Sequence, residues 1–370
     1  MDIIVGGDFY AGSRWEDKIL IEPSSIWSEE ILNYFKDADY RIINLESPLT
    51  NSENAIEKIG PSLRCDPKVI DTLKVSNIDL VTLANNHIYD YGEEGFDETL
   101  KILKSNNIDH IGVGKNINDA SYNFKVIDDI VFLNYCHNEW GMAKDNKSGY
   151  NSYSIIDIVN QIKFLKNEGK FVVLILHRGH ELYVYPSPQM VKEFHHFIEN
   201  GADLIITHHS HFYSGFEKYK HGHIFYGLGN LLFDSNIKNW RWYEGIILKL
   251  KIEEKKLVDF EVRPVTNYLK DGNIRFKRNT KIFKKDFELI NKTIKKNLLL
   301  NKQWENYTDE IKLAYLIKLH NKSKYWLSIT KRIGFFKRFL LKRLNRNKNS
   351  YRNLVSCEAH NEVLKKVLES

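Results

Sequence analysis

Nine of the chain's 14 histidines fall between His177 and His223, beside residues that ligate metals or move protons. His209 and His211 flank Ser210, and alternate residues of an extended segment share a face, so both imidazoles can address one site. Imidazole converging with carboxylate suits zinc, manganese or iron. A lone His-x-His, however, is also what hydrogen-bonded surface histidines look like. Asp8 directly follows Gly6-Gly7, where the backbone can turn tightly beneath a ligand. Glu46 closes Asn44-Leu45-Glu46, and a carboxylate at the centre of a rim can bridge two metals about 4 Å apart. In Asn85-Asn86-His87 an asparagine carbonyl offers an oxygen ligand and the next imidazole a general acid. Asp90, three residues on, can orient that imidazole. Taken singly, these residues also read as a turn aspartate, a cap or surface carboxylate, and an Asn/His turn.

What would bring them together is a regular alternation. Apolar runs at Ile3-Val5, Tyr40-Ile43, Leu80-Leu83, Val131-Leu133, Phe171-Leu176 and Leu204-Ile206 read as strands. Amphipathic stretches near 27–36, 67–76, 94–106, 155–168 and 187–199 read as helices, with Asp66-Pro67 and Ser187-Pro188 as cap-then-proline starts. Alternation of this kind predicts a layered α/β core whose strands are buried on both faces. Runs near 223–227, 245–252 and 257–263 predict a late antiparallel edge. The segments that carry the chemistry each follow a strand-like run: Asp8, Glu46, Asn86-His87, His177-Arg178-Gly179-His180 and His208-His209-Ser210-His211. Ligands of open α/β sheets lie outside the carboxyl ends of the strands, so five distant segments are expected at one rim.

Composition permits a sizeable core: 370 residues, 42% hydrophobic. No run reaches the roughly 18 apolar residues of a membrane-spanning helix. The N-terminus reads as a first strand and not as a secretion signal, which sets the expectation of a cytoplasmic location. Cys65, Cys136 and Cys357 are too few and too far apart for a disulfide framework, and a reducing compartment is the default. The net charge of +6 conceals a split, with −10 over residues 1–270 and +16 over 271–350. A boundary is expected there, between an α/β domain over 1–266 and a basic, mainly helical extension over 271–370. Within the extension, residues 331–348 hold eight basic residues and no acid, with Phe336, Leu340 and Leu344 at helical spacing. That pattern suits an anionic membrane surface, or packing on the acidic domain or a partner. No motif for specific nucleic-acid binding accompanies it.

In order along the chain, Gly7-Asp8, Asn44-Leu45-Glu46-Ser47-Pro48-Leu49-Thr50, Ala84-Asn85-Asn86-His87-Ile88-Tyr89-Asp90-Tyr91-Gly92, Gly112-Val113-Gly114, His177-Arg178-Gly179-His180-Glu181, Gly201-Ala202-Asp203, His208-His209-Ser210-His211 and Leu228-Gly229-Asn230-Leu231-Leu232-Phe233-Asp234 form a set. This set resembles the CapA-type capsule synthesis family, associated with poly-γ-glutamate capsules and similar to the calcineurin-like metallophosphoesterases. The resemblance covers about residues 1–266 and implies a four-layered αββα sandwich. It implies two divalent ions (manganese, zinc or iron). Asp8, Glu46 and His211 would hold one; Glu46, Asn86, His177 and His209 would hold the other. His87, backed by Asp90, would be the general acid. His208 would be an alternative to His209 or a substrate contact, and Arg64 in Leu63-Arg64-Cys65-Asp66-Pro67 would clamp an anionic group. The sequence departs from the family at Tyr10, where phosphoesterases usually carry a histidine, and at Arg178, Thr207 and Ser210, in place of tryptophan, glycine and proline. Arg178 thereby becomes a substrate-contact candidate.

The function this implies is a phosphoesterase-like, metal-dependent hydrolase in capsule or surface-polymer biosynthesis. A bridging hydroxide would attack a phosphate ester or a polarised carbonyl of an anionic polymer. The alternatives are a non-catalytic accessory protein of a capsule or poly-γ-glutamate synthesis complex, and a hydrolase of γ-glutamyl bonds.

Overall fold

A computed structural model describes residues 1–319. Its strands are β1 (Asp2–Tyr10), β2 (Tyr40–Leu45), β3 (Leu80–Thr82), β4 (Asp109–Ile111), β5 (Val113–Gly114), β6 (Lys125–Ile127), β7 (Ile130–Cys136), β8 (Gly149–Tyr150), β9 (Phe171–His177), β10 (Leu204–His208), β11 (Phe216–Tyr219), β12 (Gly222–Phe225), β13 (Asn230–Phe233), β14 (Glu244–Glu253), β15 (Lys256–Thr266) and β16 (Arg275–Phe276). Its α-helices are α1 (Ser13–Ile21), α2 (Glu29–Lys36), α3 (Ile70–Val75), α4 (Gly92–Ser105), α5 (Ile117–Tyr122), α6 (Ile155–Asn167), α7 (Pro188–Glu199), α8 (Lys281–Ile294) and α9 (Asn297–Leu319).

The first sheet runs β16-β15-β14-β1-β2-β3-β4, with β13 also paired to β1; the second runs β11-β12-β10-β9-β7-β6. β1, β2, β3 and β4 are mutually parallel, as are β7, β9, β10 and β12. The expected late antiparallel edge is divided between the sheets. β14 pairs antiparallel with β1 and β15 antiparallel with β14, whereas β12 joins the second sheet, parallel to β10 and antiparallel to β11.

Side-chain alternation turns these sheets into a sandwich. Ile3, Val5, Ile42 and Leu80 face the inter-sheet core with Phe132, Val173 and Ile206. Ile4, Ile43 and Val81 point to the opposite face, where they meet Trp15 and Ile19 of α1, Ile31 and Phe35 of α2, Leu73 of α3 and Phe96 of α4. The outer face of the second sheet is covered by Ile158 and Ile162 of α6 and by Phe194 and Phe197 of α7. The result is a helix–sheet–sheet–helix sandwich, in which burying each such side chain contributes about 1.5–3 kcal/mol. Two helix starts follow the cap-then-proline pattern. The Ser187 hydroxyl accepts from Met190 N ahead of Pro188, and the Asp66 carboxylate caps a 3₁₀ turn over Pro67–Val69 that runs into α3.

A compact unit spans Met1–Leu300, and a second begins at Asn301. Packing in the first unit continues past the compositional change at 270. β16 pairs with β15, and Phe283, Ile290 and Ile294 of α8 join the same hydrophobic core as the second sheet. The basic segment 331–348 lies outside the described residues. Among the described residues, no helix is long and apolar enough to cross a membrane.

Candidate metal centre

Asp8 lies near the end of β1 beyond a register shift that Gly6-Gly7 permits. A Cβ on Gly7 would come 1.9 Å from Gly229 O, and this close approach lets Asp8 N donate to Gly229 O at 3.0 Å. Glu46 follows β2 directly, its amide donating to Phe9 O at 2.9 Å, so both carboxylates hang from neighbouring parallel strands. After β3, Asn85 Oδ1 accepts from His87 N at 3.2 Å and Ile88 N at 2.9 Å, an Asx turn that presents Asn86 and His87. Beneath that turn Asn134 of β7 accepts from Ala84 N at 2.8 Å and donates to Ile175 O at 3.1 Å, tying the two sheets together. The second sheet contributes His177 from the end of β9 and His208 from the end of β10. His209 and His211 follow at φ +90° and +57°. Left-handed backbone at two non-glycine residues costs about 1–3 kcal/mol each and persists only where surroundings enforce it.

These segments converge. Glu46, His177 and His209 form one buried group of possible ligands and Asp8, Glu46 and His211 another, with ligand atoms in each group within 4.8 Å of one another. Glu46 belongs to both. His177 Nε2 lies 2.9 Å from Asn86 Oδ1, 3.1 Å from His209 Nδ1 and 3.4 Å from Glu46 Oε1. On the other side, His211 Nε2 is 3.9 Å from Glu46 Oε1, and His211 Nδ1 is 3.5 Å from Asp8 Oδ2. His208 contacts Asp8 Oδ1 at 3.0 Å, facing Asp8 where its neighbour His209 faces His177. Asn44 sits between the halves. Its Nδ2 donates to Asp8 Oδ1 at 2.9 Å and to Glu46 Oε2 at 3.3 Å, while its Oδ1 accepts from Thr82 at 3.2 Å and Asn85 at 3.3 Å.

The donor set fits divalent metal. Oε1 of Glu46 is wholly buried yet has no hydrogen-bond partner, a costly state that a cation between the imidazoles would relieve. Burial first, then the charges of Asp8, Glu181 and Asp90, push the Glu46 carboxyl well above the ordinary range, with Lys58 opposing. Burial would also raise Asp8, but its contacts with His208 and His211 outweigh that and hold it well below its ordinary value. Burial lowers His177 and His209 strongly, keeping them neutral and able to donate lone pairs. Nitrogen and oxygen donors of this kind suit zinc, manganese or iron.

His87 stands beside the candidate ligands. Its Nδ1 donates to Asp90 Oδ2 at 2.7 Å, Asp90 Oδ2 also accepts from Leu63 N at 2.7 Å, and Nε2 is left as the free edge of the ring. Lys58 reaches the same pair from the 46–66 loop, its ammonium on Asp90 Oδ1 and 3.3 Å from His87 Nδ1, with only 3% of its side chain exposed. Arg64 stacks 5.4 Å from the Tyr91 ring and donates to Ser52 O. Arg178 lies 4.1 Å above the Tyr153 ring and donates to Glu193 Oε2 at 2.6 Å. Both guanidiniums are thus engaged within the protein. Tyr10 packs against Phe233 at 5.0 Å, and burial, then the neighbouring Cys65, Asp234 and Glu16, push its hydroxyl upward.

Sequence reasoning did not single out three residues found here. His137 has its ring 4.3 Å from that of His209 and its Nε2 3.3 Å from Glu139 Oε1. It follows β7 immediately, so the rule that found the other rim residues would have reached it had that strand been read to its end. Lys58 sits in an irregular loop and carries no periodic signal. Asn230, part of a quoted motif, accepts from His211 Nδ1 at 2.9 Å.

A family model described as bacterial capsule synthesis protein PGA_cap matches residues 2–235. The capsule biosynthesis protein CapA of Bacillus anthracis is 28% identical over 248 residues, or 62% of this chain and 59% of that protein. The PGA biosynthesis protein CapA of Bacillus subtilis (strain 168) is 28% identical over 273 residues, or 70% of each. A probable polyglutamine synthesis accessory protein of Mycobacterium tuberculosis is 25% identical over 224 residues, or 56% of this chain and 57% of that one. Among solved structures, a hypothetical protein from Thermus thermophilus is 13% identical, with TM-score 0.43 over 72% of this chain and 100% of that one.

Proposed function

Because the chain belongs to the bacterial capsule synthesis protein PGA_cap family, we propose that its rim is a two-metal hydrolase centre serving capsule or poly-γ-glutamate biosynthesis. The observation that carries this reading is Glu46. One carboxylate is shared by two ligand groups, and its Oε1 is buried without a hydrogen-bond partner. Asp8, Glu46 and His211 would hold one cation; Glu46, Asn86, His177 and His209 the other. Divalent ions held there would supply Lewis acidity and lower the pKa of water.

The chain's own residues supply the rest. Asp90, fixed by Leu63 N and Lys58, holds the His87 ring by Nδ1, so that the imidazolium form would carry its transferable proton on Nε2 and give it to a leaving oxygen. Asn44 holds the Asp8 and Glu46 carboxylates in fixed relation through its two N–H groups. The substrate would be a phosphate ester or a γ-glutamyl bond of an anionic polymer. Both reactions place negative charge on an oxygen beside the cations. Assaying the full chain with manganese or zinc, on a chromogenic phosphate ester and on γ-glutamyl oligomers, tests this. Metal-stimulated turnover of either, lost in Asp8→Ala, His177→Ala and His211→Ala, is expected. Turnover unchanged in those variants would sink the reading.

One observation favours a second reading, a non-catalytic accessory role. Tyr10 packs on Phe233, so the Asp8 half lacks the additional imidazole that a phosphoesterase usually places there. Metal binding without turnover on either substrate would select it.

A further inference from the structure

We propose that Asp286 of α8, through Arg241 and Asn230, is a positioning residue for His211, so that sequence beyond residue 270 is part of the metal centre's support. This rests on the two-metal reading above.

The chain of contacts begins at Asp286. Its carboxylate takes both arms of the Arg241 guanidinium, Nη1 to Oδ2 at 2.8 Å and Nη2 to Oδ1 at 2.7 Å, and accepts from the Tyr213 hydroxyl at 2.7 Å. A bidentate pair fixes direction as well as distance. Arg241 belongs to the 3₁₀ turn Trp240–Tyr243, and Tyr213 lies two residues after His211. Asp286 therefore joins two segments of the main chain that border the ligand.

The turn acts on His211 in two ways. The buried Trp242 ring lies 4.6 Å from the imidazole and is itself tied by Nε1 to Phe233 O at 3.1 Å. The Trp242 carbonyl accepts from Asn230 Nδ2 at 2.9 Å, while Asn230 Oδ1 is 2.9 Å from His211 Nδ1. Flipping the amide would set two oxygens against each other, so Asn230 has one workable orientation. His211 must then carry its hydrogen on Nδ1 and direct the Nε2 lone pair toward Glu46 Oε1. Partners that set the tautomer and aim of a metal-binding histidine typically change affinity 10–100-fold when removed. His211 also holds φ +57°, a conformation that needs such reinforcement. The other half is anchored differently: His209 N donates to Asp8 Oδ2 at 3.2 Å, and His177 ends β9.

The test is titration of metal-free full-length protein with Co²⁺, followed by visible absorption and by circular dichroism for folding. Wild type should take up two equivalents. Asp286→Asn and the milder Arg241→Lys should weaken one equivalent about 10-fold or more and leave the other unchanged. The exchange Asp286→Arg with Arg241→Asp should recover at least part of the loss. Glu199→Gln, which breaks an exposed pair with Lys220, should bind as wild type. Two wild-type-like equivalents in both single variants, or melting temperature lowered with binding intact, would overturn the proposal. A wild type that binds no Co²⁺ at all would instead overturn the metal-centre reading on which it rests.

Discussion

Replacing Glu46 by glutamine should separate the chemistry of the site from its stability. In metal-free protein above the raised pKa of Glu46, its Oε1 is charged, buried and without a hydrogen-bond partner. Glutamine keeps the shape and removes the charge. A buried unsatisfied group costs about 1–3 kcal/mol, and more when charged. Metal-free Glu46→Gln should thus be more stable than metal-free wild type by about 2 kcal/mol at alkaline pH, about 3 °C in melting temperature. The pH dependence has a definite sign. A carboxyl whose folded pKa lies above its unfolded value favours folding most below the ordinary 4.5 and loses that contribution as pH rises through the folded value. Glutamine does not titrate, so the advantage of the variant should be small near pH 4.5 and full in alkali. Saturating metal should reverse the order, since binding adds about 2.7 kcal/mol to wild type at free metal 100 times Kd. Urea denaturation at pH 5 and pH 8.5, with chelator and then with manganese, reads all three. A metal-free variant less stable than wild type at pH 8.5, or a difference indifferent to pH, refutes the reasoning.

Other changes have equally definite outcomes. Gly7→Ala puts a methyl 1.9 Å from Gly229 O, with backbone on both sides to resist it, and should cost about 3 kcal/mol in urea titrations. His87→Asn should leave metal content unchanged while lowering kcat on the responsive substrate about 100-fold; an equal fall in bound metal would mean that His87 is a ligand. Lys58→Met removes one partner of a pair whose side chains are 3% and 1% exposed, and the thermal stability should fall by about 3 kcal/mol.

The rim was legible because of topology. When parallel strands carry the core, every polar segment that follows a strand is delivered to the same end, so Asp8, Glu46, Asn86, His177 and His209–His211 could be collected from apolar runs alone. The same logic passed over His137 because its strand continues through Asn134-Tyr135-Cys136, beyond the run read as apolar. Contacts made by irregular backbone were not legible. Lys58 reaches Asp90 from a loop with no period, and nothing local links Asn230 to the Trp242 carbonyl twelve residues on. Arg178 and Arg64 show the converse. Their type suggested an anion clamp, yet Glu193 with Tyr153, and Ser52 with Tyr91, engage them. Charge marked residues beyond 270 as separate, whereas the apolar stripe of α8, Phe283, Ile290 and Ile294, packs Lys281–Ile294 into the core.

The most direct test of a centre joined by Glu46 is elemental analysis of the purified full chain, before and after reconstitution with manganese, zinc or iron. Two equivalents of divalent transition metal per wild-type chain are expected, with both diminished in Glu46→Ala because each ligand group loses the residue they share. No bound metal after reconstitution, or two equivalents retained in Glu46→Ala, would contradict it.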